Sequence, residues 1–99
     1  EPNMDNVIAA ARYAFELQQA VTGNWLRPDT ALPGLRCTVK IVQIPGGEVL
    51  SASVVAPCNG DELTKRSLEA AVLRAQPLPY RGFESVFQRE ISFNFRYDG

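Results

Sequence analysis

The first third of the chain has the hydrophobic period of a helix. Apolar residues recur every three or four positions and form one stripe, which is typical of a helix with a buried face. The stripe consists of Val7, Ala10, Ala14, Leu17, Val21 and Trp25, and it is widened by Ile8, Ala11 and Phe15. We predict a helix that is capped by Asn3 or Asp5, ends near Thr22, and is followed by a proline-containing loop over residues 27–35.

The middle of the chain alternates with the period of a strand on both sides of a turn. Residues 37–44 and 48–56 predict two antiparallel strands, joined by the tight turn Pro45-Gly46-Gly47. The first strand places on one face Cys37, Val39, Ile41 and Gln43, and the second strand matches it with Leu50, Ala52 and Val54. Val49 breaks the alternation, which indicates a bulge near the turn.

The last part of the chain predicts a second helix, a short helical turn and a third strand. Asn59-Gly60-Asp61 caps a helix over residues 62–75, and Pro77 and Pro79 stop it. Its apolar stripe consists of Leu63, Leu68, Ala71, Val72 and Ala75. One helical turn is expected within residues 82–89. In the final segment Ile91, Phe93, Phe95 and Tyr97 alternate with Ser92, Asn94 and Arg96.

These elements predict an α+β fold with a three-stranded antiparallel sheet. Strand alternation indicates a sheet that is wet on one face and covered by helices on the other. The second helix returns the chain to the starting end, so the third strand runs in the same direction as the second. An all-antiparallel sheet then requires the third strand to lie beside the first. The predicted strand order is therefore 2-1-3, with the second and third strands as open edges.

Composition and charge exclude several classes of partner. The 99 residues, 45% of them hydrophobic, predict one domain over residues 1–99. Ten basic and eleven acidic residues give a net charge of -1 without a basic block, so we expect neither nucleic-acid binding nor direct membrane contact. Because no leader sequence is visible, we expect a mature secreted protein or a domain of a longer one.

Candidate catalytic and metal-binding chemistry is sparse. The chain has no histidine and no nucleophile motif, Asp61 and Glu62 fit the start of a helix, and the Pro45-Gly46-Gly47 turn is too short to hold phosphate. We therefore predict no catalytic residue, no cofactor and no metal site. Cys37 and Cys58 lack the spacing of a zinc site; their separation alone allows either a disulfide or two buried thiols.

Two binding features remain. Gln19-Ala20-Val21-Thr22-Gly23 fits the Q-x-V-x-G pattern of cystatin-type protease inhibitors, although here it coincides with the end of a helix. The stronger candidate is the open edge of the last strand, whose free backbone groups could accept an extended partner segment. Its predicted partner-binding residues are Glu90, Ile91, Ser92, Phe93, Asn94, Phe95 and Arg96.

The order and spacing of several short motifs resemble a known family. The run from Leu17 to Pro28, with Trp25 four residues after Val21, is similar to the end of the first helix in TolA C-terminal domains, within the TonB C-terminal superfamily. Further motifs are Gly34, Cys37-Thr38-Val39-Lys40-Ile41, Pro45-Gly46-Gly47, Gly60-Asp61, Ser67 to Val72, Pro77-Leu78-Pro79, Phe83, Phe87 and Ile91 to Phe95. In some TolA domains the second cysteine lies nearer to Thr64 than to Cys58.

The resemblance implies a periplasmic, non-catalytic domain of the Tol-Pal cell-envelope system. Implied partners are TolB and Pal, colicins, the minor coat protein of filamentous phages, and TolQ and TolR through a missing N-terminal region anchored in the inner membrane. Strand addition at residues 90–96 is the implied binding mode. The oxidising periplasm favours a Cys37–Cys58 disulfide. The alternatives are a TonB-like domain that recognises transporter boxes and a cystatin-like inhibitor.

Overall fold

Helices and strands follow one another in the order that the hydrophobic periods predict. The computed structural model describes residues 4–99. Its elements are, in chain order, α1 (Met4–Gly23), β1 (Leu35–Ile44), β2 (Glu48–Cys58), α2 (Glu62–Ala75), a 3-10 helix (Glu84–Val86) and β3 (Glu90–Tyr97). β1 begins two residues earlier than predicted and β2 ends two residues later. Asn3, one of the two expected caps of α1, lies outside the described residues.

The three strands form one antiparallel sheet in the order β2-β1-β3, which confirms the predicted α+β fold and strand order. Ile41 in the central strand pairs with Ala52 of β2 and with Ile91 of β3. The helix-covered face of β1 is buried along its whole length, through Leu35, Cys37, Val39, Ile41 and Gln43. The opposite face is solvent-exposed and carries a salt bridge of 2.8 Å between Lys40 and Glu90.

A bulge beside the turn decides which residues of β2 enter the core. Val42 pairs with Ser51 but Gln43 pairs with Val49, so Leu50 is the extra residue. Val49 is therefore buried and Leu50 is 54% exposed, which corrects the prediction that Leu50 shares the core face. The turn itself is as predicted, with positive φ values of 102° at Gly46 and 89° at Gly47.

The apolar face of α2 is shifted by one residue from the prediction at its start. Leu68, Ala71 and Val72 are fully buried as expected, but Leu63 is 60% exposed and Thr64 takes the buried position. Thr64 lies four residues before Leu68, on the same helix face, and its methyl group packs against Gly60. A small polar residue can thus hold a core position that composition alone assigns to its leucine neighbour.

Asp61 caps α2 and makes its stability pH-dependent. The Asp61 carboxylate accepts a 2.8 Å hydrogen bond from the Thr64 backbone N–H. That hydrogen bond, with the Thr64 and Thr30 side chains, lowers the pKa of Asp61 below its ordinary 3.8. The stabilisation is present above pH 3.8 and is lost as the pH falls through the folded-state pKa. We expect Asp61→Ala to lower Tm at pH 7, and the difference from the parent to shrink in thermal melts below pH 3.8.

Asp61→Asn is the matched control for this prediction. Asparagine also caps helices but does not titrate, so the variant is expected to melt near the parent at neutral pH. A Tm difference between Asp61→Ala and the parent that stays constant down to acid would contradict the pKa assignment.

Only the second half of α1 is part of the core. Its buried residues are Tyr13, Leu17 and Val21. The predicted stripe residues Val7, Ala10 and Ala14 are exposed instead, as are the flanking Ile8, Ala11 and Phe15. A 20-residue helix is about 30 Å long, and no residue of α1 before Tyr13 is buried. The first turns of α1 therefore present an apolar surface to solvent.

Candidate functional site

The backbone of β3 directs every second residue away from the sheet. In an antiparallel pair, the N–H and C=O of one residue point to the neighbouring strand and those of the next point away from it. Arg89 faces β1, because its carbonyl accepts a 2.8 Å hydrogen bond from the Gln43 N–H. Arg96 faces away, because its carbonyl accepts a 2.9 Å hydrogen bond from the Gln18 side chain of α1. Glu90, Ser92 and Asn94 share the parity of Arg96 and direct their backbone groups outward.

This outer side of β3 is open over most of its length. Within residues 4–99, hydrogen bonds reach the outward backbone groups of β3 only at Arg96. The outward N–H and C=O groups of Glu90, Ser92 and Asn94 are thus available to a further strand. We call this row of backbone groups the β3 edge.

At the other edge of the sheet, two outward backbone N–H groups of β2 are hydrogen-bonded to side chains. The Val54 N–H of β2 donates a 2.8 Å hydrogen bond to the Glu69 carboxylate, and the Val49 N–H donates one of 2.9 Å to the Gln76 side chain. Glu69 lies on α2 and Gln76 caps its end, and α2 packs along β2. β2 is therefore an edge of the sheet as predicted, but its outward N–H groups at Val49 and Val54 are engaged by side chains of α2 and its C-cap.

A groove runs between α1 and the β3 edge. It has a volume of about 620 Å³. Its lining residues are Ala10, Tyr13, Ala14, Phe15, Leu17 and Gln18 of α1, Val86 and Gln88, and Ile91, Ser92, Phe93, Asn94 and Arg96 of β3. Because neighbouring strands point their side chains to the same faces, an extended segment beside β3 would direct alternate side chains into this α1–β3 groove.

Exposed apolar residues of α1 continue from the groove along the helix. Met4, Val7, Ile8 and Phe15 are 70%, 51%, 53% and 63% exposed, respectively. They recur at the three- and four-residue spacing of one helix face, together with Ala11. Contiguous exposed apolar surface of this kind commonly marks an interaction site.

A buried polar residue forms hydrogen bonds with both walls of the groove, α1 and the segment that leads into β3. The Gln43 side chain, which is fully buried, donates hydrogen bonds of 2.9 Å to the Tyr13 hydroxyl and 3.0 Å to the Gln88 carbonyl. It thereby links β1 to α1 and to the segment that precedes β3. The sequence placed Gln43 on a core-facing position of a strand, and a polar residue at such a position was the available signal.

Of the predicted partner-binding residues, the structure separates two sets. The side chains of Phe93 and Phe95 are buried and that of Ile91 is half-buried at the groove. These three residues share the parity of Arg89, so their backbone groups face β1. Glu90, Ser92, Asn94 and Arg96 are exposed and carry the outward backbone groups. Cys37 and Cys58 are joined by a disulfide and lie opposite each other in β1 and β2.

The Q-x-V-x-G pattern lies in a helix and not in a loop or hairpin. Gln19, Val21 and Gly23 lie in the last turns of α1, and Val21 is fully buried. The structure thus confirms a helix C-terminus at this position, and the pattern lends no support to the cystatin-like alternative.

Residues 4–99 contain neither a candidate membrane span nor a candidate metal site. None of the helices in this range is both long and apolar enough to cross a membrane. No group of three or more His, Cys, Asp or Glu residues in it is arranged to hold a metal ion.

Comparisons with known proteins agree on one family. The sequence model of the family described as TonB C terminal matches residues 10–95. Among solved structures, the fold is similar to the solution NMR structure of TolAIII bound to a peptide derived from the N-terminus of TolB. That similarity has a TM-score of 0.67 and 27% sequence identity, and covers 87% of this chain and 73% of the other. No curated protein sequence matches the chain.

Proposed function

Since this chain belongs to the TonB C-terminal family, we propose that it is a non-catalytic protein-binding domain that takes up the N-terminal segment of TolB by strand addition to β3. The observation that carries the proposal is the row of outward N–H and C=O groups at Glu90, Ser92 and Asn94. An added strand gains affinity from main-chain hydrogen bonds and specificity from pockets for alternate side chains. The β3 edge offers the main-chain hydrogen bonds, and the α1–β3 groove offers the pockets for side chains.

The structural neighbour supports the choice of partner. TolAIII binds a peptide from the N-terminus of TolB, and its fold aligns over most of this chain. Capping of β2 by Glu69 and Gln76 favours β3 as the edge that is used. The exposed apolar face of α1, with Phe15 at the groove, favours an occupant that has apolar side chains of its own.

We extend the proposal to the cellular setting. The domain acts in the periplasm as part of a Tol-Pal system, within a longer protein that is anchored in the inner membrane and contacts TolQ and TolR elsewhere. Pal, colicins and the minor coat protein of filamentous phages are further candidate partners of the same edge. The disulfide suits an oxidising compartment.

A TonB-like domain that recognises boxes on outer-membrane transporters is the second candidate. The description of the matching family favours it, because that family is named for TonB. Binding of a transporter-box peptide in preference to the TolB peptide, measured side by side by calorimetry, would select this candidate.

Asn94→Pro tests the β3 edge. Proline removes the outward N–H, and prolines are tolerated on edge strands when the missing donor faces solvent. We expect the affinity for a TolB N-terminal peptide to fall by about 10-fold or more, because one donor is lost and the ring obstructs the incoming strand. Isothermal titration calorimetry measures the affinity, and a thermal melt shows that the variant is folded.

The matched control is Asn94→Ala. It keeps the backbone N–H but removes the side-chain contact with the Thr38 hydroxyl, which is 3.2 Å away and exposed. We expect its affinity to stay within about 3-fold of the parent. Tight peptide binding by folded Asn94→Pro would show that the partner does not pair with β3.

A further inference from the structure

The side chain of Gln18, a residue of α1, already forms hydrogen bonds with the outward backbone groups of β3. Its Nε2 donates a 2.9 Å hydrogen bond to the Arg96 carbonyl, and its Oε1 accepts a 3.4 Å hydrogen bond from the Arg96 N–H. The second Nε2 proton is directed to the Thr22 hydroxyl at 3.0 Å. One side-chain amide therefore presents to Arg96 the same donor and acceptor that a residue of an added strand would present.

We propose that Gln18 sets the register of the added strand by ending its pairing at Asn94. The inference rests on the proposed function, since it needs a partner that pairs with β3. With Arg96 engaged by Gln18, the pairing positions that remain are Glu90, Ser92 and Asn94. They span five residues of strand, which corresponds to a partner core of about 14 Å at about 3.4 Å per residue.

This register also defines the chemistry of the partner segment. Positions beside Ile91 and Phe93 share the helix-covered face of β3 and therefore point into the α1–β3 groove, where Ala14 and Phe15 lie. Positions beside Glu90, Ser92 and Asn94 point to the solvent face of the sheet. The occupant is thus an extended segment of another protein with two apolar side chains placed between three polar ones.

Amide hydrogen exchange in the free protein measures the Gln18 contact itself. Gln18→Ala removes both hydrogen bonds to Arg96, so we expect the Arg96 amide to exchange at least about 5-fold faster than in the parent. Gln19→Ala is the matched control, because it makes the same change at an exposed neighbouring position of the same helix. An Arg96 amide that responds equally to both substitutions, or to neither, would overturn the inference.

Exchange in the complex with a TolB N-terminal peptide measures the register. In the parent, we expect binding to slow the Ser92 and Asn94 amides and leave Arg96 unchanged. In Gln18→Ala, binding should slow Arg96 as well, and the affinity should rise about 2- to 10-fold from the added pairing. Slowing of Arg96 on binding to the parent would contradict the inference, as would an Arg96 amide that stays unprotected in the Gln18→Ala complex.

The outcomes separate this inference from the function on which it rests. Absence of peptide binding, or binding that leaves the Ser92 and Asn94 amides fast, contradicts strand addition itself. Slow Ser92 and Asn94 amides before any peptide is added, in a protein that sediments as a dimer, would show that a second copy of this chain occupies the edge, and both proposals would fail.

Discussion

Phe95→Ala is expected to lower the free energy of unfolding by about 3–5 kcal/mol, the usual cost of deleting a buried aromatic ring. Phe95 is 1% exposed and is the largest of the fully buried side chains. Its ring meets Trp25 edge-on at a centroid distance of 5.0 Å, and its strand position is opposite Cys37. The cavity would lie between β3 and the helices, where the surrounding side chains can collapse only in part. Urea denaturation measures the change.

Phe15→Ala is the matched control for that experiment. Phe15 is 63% exposed, so the same substitution is expected to change the free energy of unfolding by no more than about 0.5 kcal/mol. Because Phe15 lines the α1–β3 groove, the variant should nevertheless bind the TolB peptide more weakly. Equal destabilisation by Phe15→Ala and Phe95→Ala would contradict the burial that distinguishes them.

Removal of the disulfide, as Cys37→Ala with Cys58→Ala, is expected to lower the free energy of unfolding by about 3 kcal/mol. The cysteines are 21 residues apart, and the cross-link restricts a loop of that size in the unfolded chain. For a domain of this length the corresponding fall in Tm is roughly 12–24 °C. Alanine is preferred to serine here, because Cys37 is buried and a hydroxyl at its position would need a partner. Thermal melts of the parent and the double variant measure the difference.

A reductant provides the control for the disulfide. Dithiothreitol should lower the Tm of the parent and leave the double variant unchanged. A parent that melts at the same temperature with and without reductant, and that shows two titratable thiols before reduction, would contradict the cross-link.

The strands and their order follow from the sequence for a simple physical reason. In β3 the alternation of Ile91, Phe93 and Phe95 with polar residues fixes which side chains are buried, because a shift by one residue would exchange the two faces. A hairpin followed by one helical connection leaves a single position for the third strand, beside the first, in which the whole sheet is antiparallel. Local pattern and chain direction together therefore determined the sheet.

The candidate site was less predictable, because it depends on contacts between distant residues. Periodicity shows that α1 has an apolar side but not whether another element covers it, so Val7 and Phe15 were assigned to the core. Gln18 and Arg96 are 78 residues apart, and no local pattern relates them. The hydrogen bond from the Val54 N–H of β2 to Glu69 could not be predicted either, since a glutamate on a helix is ordinarily a solvated charge.

The two edges of the sheet differ in which outward backbone groups are already hydrogen-bonded, and this difference affects how many molecules can join one assembly. A sheet that is open on both sides can pass hydrogen bonding from one chain to the next without end, as in fibrils. Here Glu69 and Gln76 engage two outward backbone donors of β2, so a strand added on that side would lose two of its pairing positions. The domain is therefore better suited to terminate a chain of paired strands than to propagate it, and we expect its complexes to contain one partner segment for each copy.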